Sequence, residues 1–209
     1  NTNIVDVDCS DIEWANNTMY YAFGGCINLK TVANLNDDVT DIGYAFYNCH
    51  NMIEPPTIPN NVTNMYTTFR NCFNLKNAPT IPNNVTDIGW AFQNCYNMTS
   101  TPQIPSSVTV ASNAFQGCNN IVSGGNFPRM CNELSAVYWN CSKLTGDIYF
   151  EASHVNSFSN TFNGTSLEKL KYTTEKAITG DYEGNNFCLD KNNNFILLGD
   201  PEASLDSIV

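Results

Sequence analysis

Charge is scarce in this chain, and basic charge most of all. Only 14% of its residues are Asp, Glu, Lys or Arg, against about 25% in ordinary soluble domains. Lys and Arg number nine against 20 acids, for a net charge of −11. Nine dispersed cations make no basic patch, so nucleic-acid phosphate is disfavoured as a ligand, and so is an anionic membrane surface. No apolar run approaches the ~20 residues of a membrane span, so direct membrane insertion is not expected. The start has neither the n-region nor the h-region of a signal peptide. It begins with Asn rather than Met, which fits removal of a leader or tag. Histidine occurs twice, as His50 and His154, and neither stands in a recognisable acid–base arrangement. GxGxxG, P-loop and GxSxG motifs are absent. The N-terminal DVDCSDIE gathers Asp6, Asp8, Asp11 and Glu13. It lacks the Gly and distal Glu of a calcium loop, and reads as a solvated end. No catalytic residue, no metal ligand set and no cofactor is therefore expected. The polar surface is supplied instead by Asn, which occurs 33 times in 209 residues.

What is present is a repeat. Cys26, Cys49, Cys72, Cys95, Cys118 and Cys141 follow one another at 23 residues. Phe23, Phe46, Phe69, Phe92 and Phe115 keep the same period, and Tyr138 takes the sixth place. Leu29, Met52, Leu75, Met98, Ile121 and Leu144 form a third column, and Met19, Ile42, Met65, Ile88, Ala111 and Leu134 a fourth. Val39, Val62, Val85, Val108 and Cys131 form a fifth; Ile58-Pro59, Ile81-Pro82, Ile104-Pro105 and Phe127-Pro128 form a sixth. A weaker copy carries Phe162, with Thr165 in the Cys place. A unit this short cannot fold alone. Stacking successive units buries their apolar phases in continuous columns, and periods of about 20–29 residues belong to leucine-rich repeats with one short strand per turn. The strand is expected from each Leu-type residue to the Ile before Pro, as in 75–81, with Pro breaking it at its end. The NNVT stretch is expected to turn the chain. IGWAF is expected to cross the opposite face as an irregular or short-helical segment.

Nine cysteines admit several readings. Bridges suit an exported protein. Equivalent residues of adjacent turns, however, keep their Cβ atoms near ~4.8 Å, whereas disulfides want about 3.8 Å and converging vectors. Zinc sites use close pairs such as CxxC, and none occurs. A nucleophile would need a paired base; the adjacent Cys49-His50 does not supply one, because catalytic partners meet in space rather than in sequence. The remaining reading makes each column Cys a small buried hydrophobe. On it, Cys72→Ser is expected to cost more than Cys72→Ala, since the hydroxyl would lack an assured partner. Cys9 and Cys188 lie off the column toward opposite ends, and bridging among Cys9, Cys131 and Cys188 stays open.

Further aromatics lie outside the core columns. Tyr21, Tyr44 and Trp90 share one slot, Tyr47 follows Phe46, and Phe73 and Tyr96 share the slot after Cys with His50. These residues either pack over the surface between turns, which is favoured, or form an exposed binding band. Tyr44, Tyr47, Phe73, Trp90 and Tyr96 are the candidates for such a band. Six N-x-S/T sequons, at Asn16, Asn61, Asn84, Asn97, Asn140 and Asn163, arise largely from the repeat itself.

The pattern IPxxVTxIxxxFxxCxxL, and Val62 to Leu75 in particular, resembles the BspA-like (Treponema pallidum-type) leucine-rich repeats over roughly residues 19–170. IGWAF has one residue fewer than the usual family unit between Ile and Ala. The resemblance implies a solenoid of about seven turns. It also implies secretion or display at a cell surface, bacterial foremost, and binding of a host or cell-surface protein or glycan in the manner of an adhesin. A spacer or display domain of a larger surface or phage tail protein is the alternative. The expected organisation is an N-terminal cap over 1–18, repeats over 19–170, and a C-terminal cap and tail over 171–209. In the last segment, NNFCLDKNNNFILLGD reads as a β-hairpin.

Overall fold

The computed structural model describes residues 3–128, 130–145, 149–150, 160–166, 171–172, 186–189 and 195–198. Within them the 23-residue units stack so that each sequence column becomes a row of touching side chains. The Val, Met/Ile, Phe, Cys and Leu/Met columns all lie in one core, most members being fully buried. The Phe rings stack face to face from unit to unit. Centroids are 5.7 Å apart for Phe23–Phe46, 5.2 Å for Phe46–Phe69 and 5.6 Å for Phe69–Phe92. Tyr138 continues the row onto Phe162. Its phenol is buried and accepts the Gly125 N–H at 2.8 Å, which satisfies the one polar atom that this substitution brings inside.

Turns are joined mainly through the segment before and around the ring. Parallel bridges link Thr18, Asp41, Asn64, Asp87, Val110 and Glu133 in succession. Beyond each bridge every second amide reaches the next unit: Ile42 N–H to Asn64 O, Tyr44 to Tyr66 O, Phe46 to Thr68 O and Asn48 to Arg70 O, at 2.9–3.2 Å. The intervening amides close local turns, such as Ala45 to Ile42 O and Tyr47 to Tyr44 O. No helix results, because two positions in each unit are left-handed. Tyr21, Tyr44, Thr67, Trp90, Asn113 and Ala136 form one such row at φ of +54° to +60°. Asn48, Asn71, Asn94 and Asn140, with Gly25, Gly117 and Gly164, form the other. Among the described residues the only helix is the 3-10 turn Ala15–Asn17.

The expected strand of each unit is a correction. Residues 75–81 contain none, and the face keeps one weak inter-turn bond after the Leu column, as in Lys76 N–H to Ile53 O at 3.4 Å. The cause is a proline column inside the segment, Pro56, Pro79 and Pro102, which deletes a ladder donor in mid-strand. The paired strands that do form lie in proline-free stretches, while 98–104 and 121–127 meet at the isolated bridge Ser100–Ser123. β1 (Asp6–Asp8) pairs in parallel with β2 (Thr31–Ala33), and β3 (Tyr149–Phe150) with β4 (Lys171–Tyr172). β5 (Asn186–Leu189) and β6 (Phe195–Leu198) pair antiparallel, from the two apolar runs read as a hairpin. Ahead of the first unit, Cys9 is fully buried and Trp14 packs edge-on against Phe23 at 6.2 Å.

Candidate functional site

The cysteine column is a hydrogen-bonded row. From Cys49 onward each thiol donates to the carbonyl of the Phe 26 residues earlier: Cys49 to Phe23, Cys72 to Phe46 and Cys95 to Phe69 at 3.2 Å, Cys118 to Phe92 and Cys141 to Phe115 at 3.0 Å. The same Phe46 carbonyl also accepts the Cys49 N–H at 3.1 Å, so it is satisfied from its own turn and from the next. This overturns the expectation that the slot offers a hydroxyl no partner. Thr165 in the weaker copy donates to Phe162 O at 2.8 Å. Cys9, Cys26, Cys49, Cys72, Cys95, Cys118, Cys131 and Cys141 are buried free thiols; the side chain of Cys188 lies outside the described residues. Burial pushes Cys49, Cys131 and Cys141 up to about 12 and Cys72, Cys95 and Cys118 well above the ordinary thiol value. These thiols stay protonated and are neither nucleophiles nor thiolate ligands at neutral pH. Among the described residues no three His, Cys, Asp or Glu converge as a metal site, and no helix is long and apolar enough to cross a membrane.

Asn sustains the outer surface in two further rows, which its composition hinted at but its residue type alone did not place. Asn71 donates to Asn48 at 2.7 Å and Asn94 to Asn71 at 2.9 Å, all three left-handed, a conformation that Asn tolerates better than most residues. Asn51, Asn74 and Asn97 donate in turn to Asn28, Asn51 and Asn74 at 3.1–3.3 Å. At the NNVT corner, Asn61 and Asn84 donate back to Asp37 O and Asn60 O of the preceding turn. Asp41 accepts the Gly43 N–H and the Asn64 amide. Asp87, in the same row, accepts Gly89 N–H at 2.7 Å, yet burial holds its carboxyl above the usual range.

The candidate aromatics divide into two groups. Tyr44 and Tyr47 stand 5.9 Å apart in a field with Tyr20, Tyr21 and Tyr66. Three of these rings are seated over glycines. A Cβ on Gly24 would meet Tyr21 at 2.7 Å, one on Gly43 would meet Tyr20 at 3.3 Å, and one on Gly89 would meet Tyr66 at 3.2 Å. Trp90 joins through Arg70, whose guanidinium carbon lies 5.0 Å from the Trp90 ring and 5.8 Å from the Tyr47 ring. Tyr20 and Tyr21 are 57% and 49% exposed, large values for aromatic side chains. Phe73 and Tyr96 belong to a separate stripe: His50 stacks on Phe73 at 4.4 Å and Phe73 on Tyr96 at 5.1 Å. Tyr20, Tyr66 and Arg70 were missed at the sequence level, and Tyr21 was read in the Tyr44 slot without being singled out. The 23-residue alternation Tyr20, Gly43, Tyr66, Gly89 was the available signal. A concavity of about 360 Å³ lies among the prolines on the face where strands were expected, lined by Glu54, Pro55, Pro56, Asn77 and Pro79.

Comparison with known proteins agrees with this geometry. The profile of the BspA type leucine rich repeat region matches residues 10–122 and 67–183, with six copies. A leucine-rich repeat protein from Bacteroides ovatus, solved by crystallography, superposes with a TM-score of 0.56 at 20% sequence identity. The superposition covers 78% of this chain and 50% of that one, so this chain spans half the length of the solved protein. No curated protein sequence matches.

Proposed function

Because this chain belongs to the BspA-type leucine-rich repeat family, we propose that it is a binding module without catalytic activity, displayed on a cell surface or secreted, and adhesin-like in its recognition of a protein or glycan. The supporting observation is the uneven use of outer-layer slots on an even scaffold, with Tyr20, Tyr21 and Tyr96 exposed and Thr67 and Ala136 covered. One row reads Tyr21, Tyr44, Thr67, Trp90 and then Asn113, Ala136. Another reads Ile27, His50, Phe73, Tyr96 and then Asn119, Ser142. A third begins with Tyr20 and Tyr66 and ends in Ser112 and Ser135. The backbone bonds continue unchanged through both halves, so small polar residues suffice for the fold. Large exposed aromatic area beyond that need marks a recognition surface. Trp139, in the Tyr47 row, extends the pattern at one point of the later half.

The spacer reading draws on the Phe, Cys and Asn rows, which tie each turn to the next and suit a stiff rod. A binding screen against host matrix proteins and glycans separates the two. Retention of a ligand that Tyr44→Ser releases, with the melting temperature unchanged, is the expected result; silence across a broad panel would favour the spacer.

A further inference from the structure

We infer that the Tyr20–Tyr21–Tyr44–Tyr47 end of the aromatic field receives a cationic side chain, Arg or Lys, from a protein partner; the inference rests on the binding-module reading and specifies its chemistry. The chain itself shows the mode. Arg70 lies against Tyr47 and Trp90 at 5.8 and 5.0 Å, and its buried Nε has no hydrogen-bond partner, so the rings hold the guanidinium chiefly by their faces. One and two turns earlier the same rows hold Tyr21, Tyr44 and Tyr47, with mutual centroid distances of 6.1, 6.1 and 5.9 Å. Tyr47 already carries Arg70 on the side of the later turn, while among the described residues no cation lies over Tyr21 or Tyr44. Gly24 takes the place that Arg70 fills two turns on, and the Tyr21 ring lies over it, 49% exposed.

Charge complementarity points the same way. The chain carries −11 overall, and the one cation within the field is already committed. A cation approaching this patch gains the ring quadrupoles and the general negative potential together. A neutral glycan could stack on the same rings but would gain nothing from the net charge of −11.

The test is a fluorescence and NMR titration of the whole chain with a hexapeptide of alternating Arg and Gly, and with the same peptide carrying neutral, isosteric citrulline. A Tyr20→Ser/Tyr21→Ser variant removes two exposed rings and leaves net charge unchanged; Phe73→Ser/Tyr96→Ser serves as the control. The Arg peptide is expected to bind roughly two- to thirtyfold more tightly than the citrulline peptide, the range of one cation–π contact. That difference should fall to the part set by net charge alone in the Tyr20/Tyr21 variant and persist in full in the control. Equal affinity for both peptides, or full retention by the Tyr20/Tyr21 variant at unchanged melting temperature, overturns the inference. If the Arg peptide fails while a screened protein or glycan still depends on Tyr44, the cation is wrong and the binding module stands. If the screen and both peptides fail, both fall.

Discussion

Replacing Cys72 by Ser and by Ala separates two accounts of the thiol row. Cys72 is fully buried and its Sγ lies 3.2 Å from the Phe46 carbonyl. Ala removes the sulfur and leaves a small void, a loss of about 1–2 kcal/mol by analogy with deleting one or two buried methylene-sized groups. The carbonyl is not orphaned, because the Cys49 N–H still reaches it. Ser also shrinks the side chain, but its hydroxyl points at the same carbonyl. A net hydrogen bond is worth about 0.5–1.5 kcal/mol, and an unmet buried hydroxyl costs about 1–3. With the acceptor in place, Ser is expected to match or exceed Ala in stability. The C–O bond is shorter than C–S, so the turns must close slightly for the full bond, and equality is the lower bound. Urea denaturation followed by circular dichroism reads the order. A chain of this size shifts by about 2–4 °C per kcal/mol, so thermal scans resolve it as well. Ser falling more than about 1 kcal/mol below Ala would refute the acceptor argument and restore the purely apolar slot.

Asn71→Ala should cost about 2–3 kcal/mol, from two ladder bonds and a left-handed backbone. Asn71→Gly should cost less than Asn71→Ala, the reverse of the usual order, because Gly117 already holds this slot at φ +74°; chemical denaturation of the pair reads it. Asp87→Asn should raise the melting temperature at pH 7. The folded carboxyl sits above its unfolded value of 3.8 because of burial, so the wild-type chain loses stability as pH rises from there through the folded value. The gain should disappear in scans below about pH 3.8, where the carboxyl is protonated in both states.

Most of the buried columns were legible in the sequence for a physical reason, although Val32, Thr68 and the row Ala45, Ala91, Ala114 and Val137 were passed over. A period fixes which residues share a slot, and apolar residues at one phase have one place to go. The Cys, Phe and Val columns therefore needed no knowledge of backbone angles. The strand was misplaced because Ile58-Pro59 and its copies were read while Pro56, Pro79 and Pro102 were passed over. An Ile before Pro resembles a strand end, but a second proline three residues earlier removes a donor from its middle. The left-handed row could not be foreseen from residue type. Tyr44, Thr67 and Trp90 are poor candidates for positive φ, and only the inter-turn bonds on either side of them impose it.

That imposed conformation also bears on function. At the bridge rows each unit spends its amides alternately on the next turn and on its own, and the side chain in the left-handed slot lies in the outer layer, exposed at Tyr21, half-buried at Tyr44 and Trp90 and covered at Thr67. Where the left-handed slot holds Asn113 or Ala136, the backbone is the same and the strain is equal or smaller. Tyr21, Tyr44 and Trp90 thus occupy positions where bulk brings no benefit to the core, next to glycines that give the neighbouring rings room. A fold selected for stiffness alone would fill that row with Asn or Gly, as it does the row of Asn48 and Gly117. Aromatic bulk kept at a conformational cost, on one half of a regular surface, is better explained by something that the surface must touch.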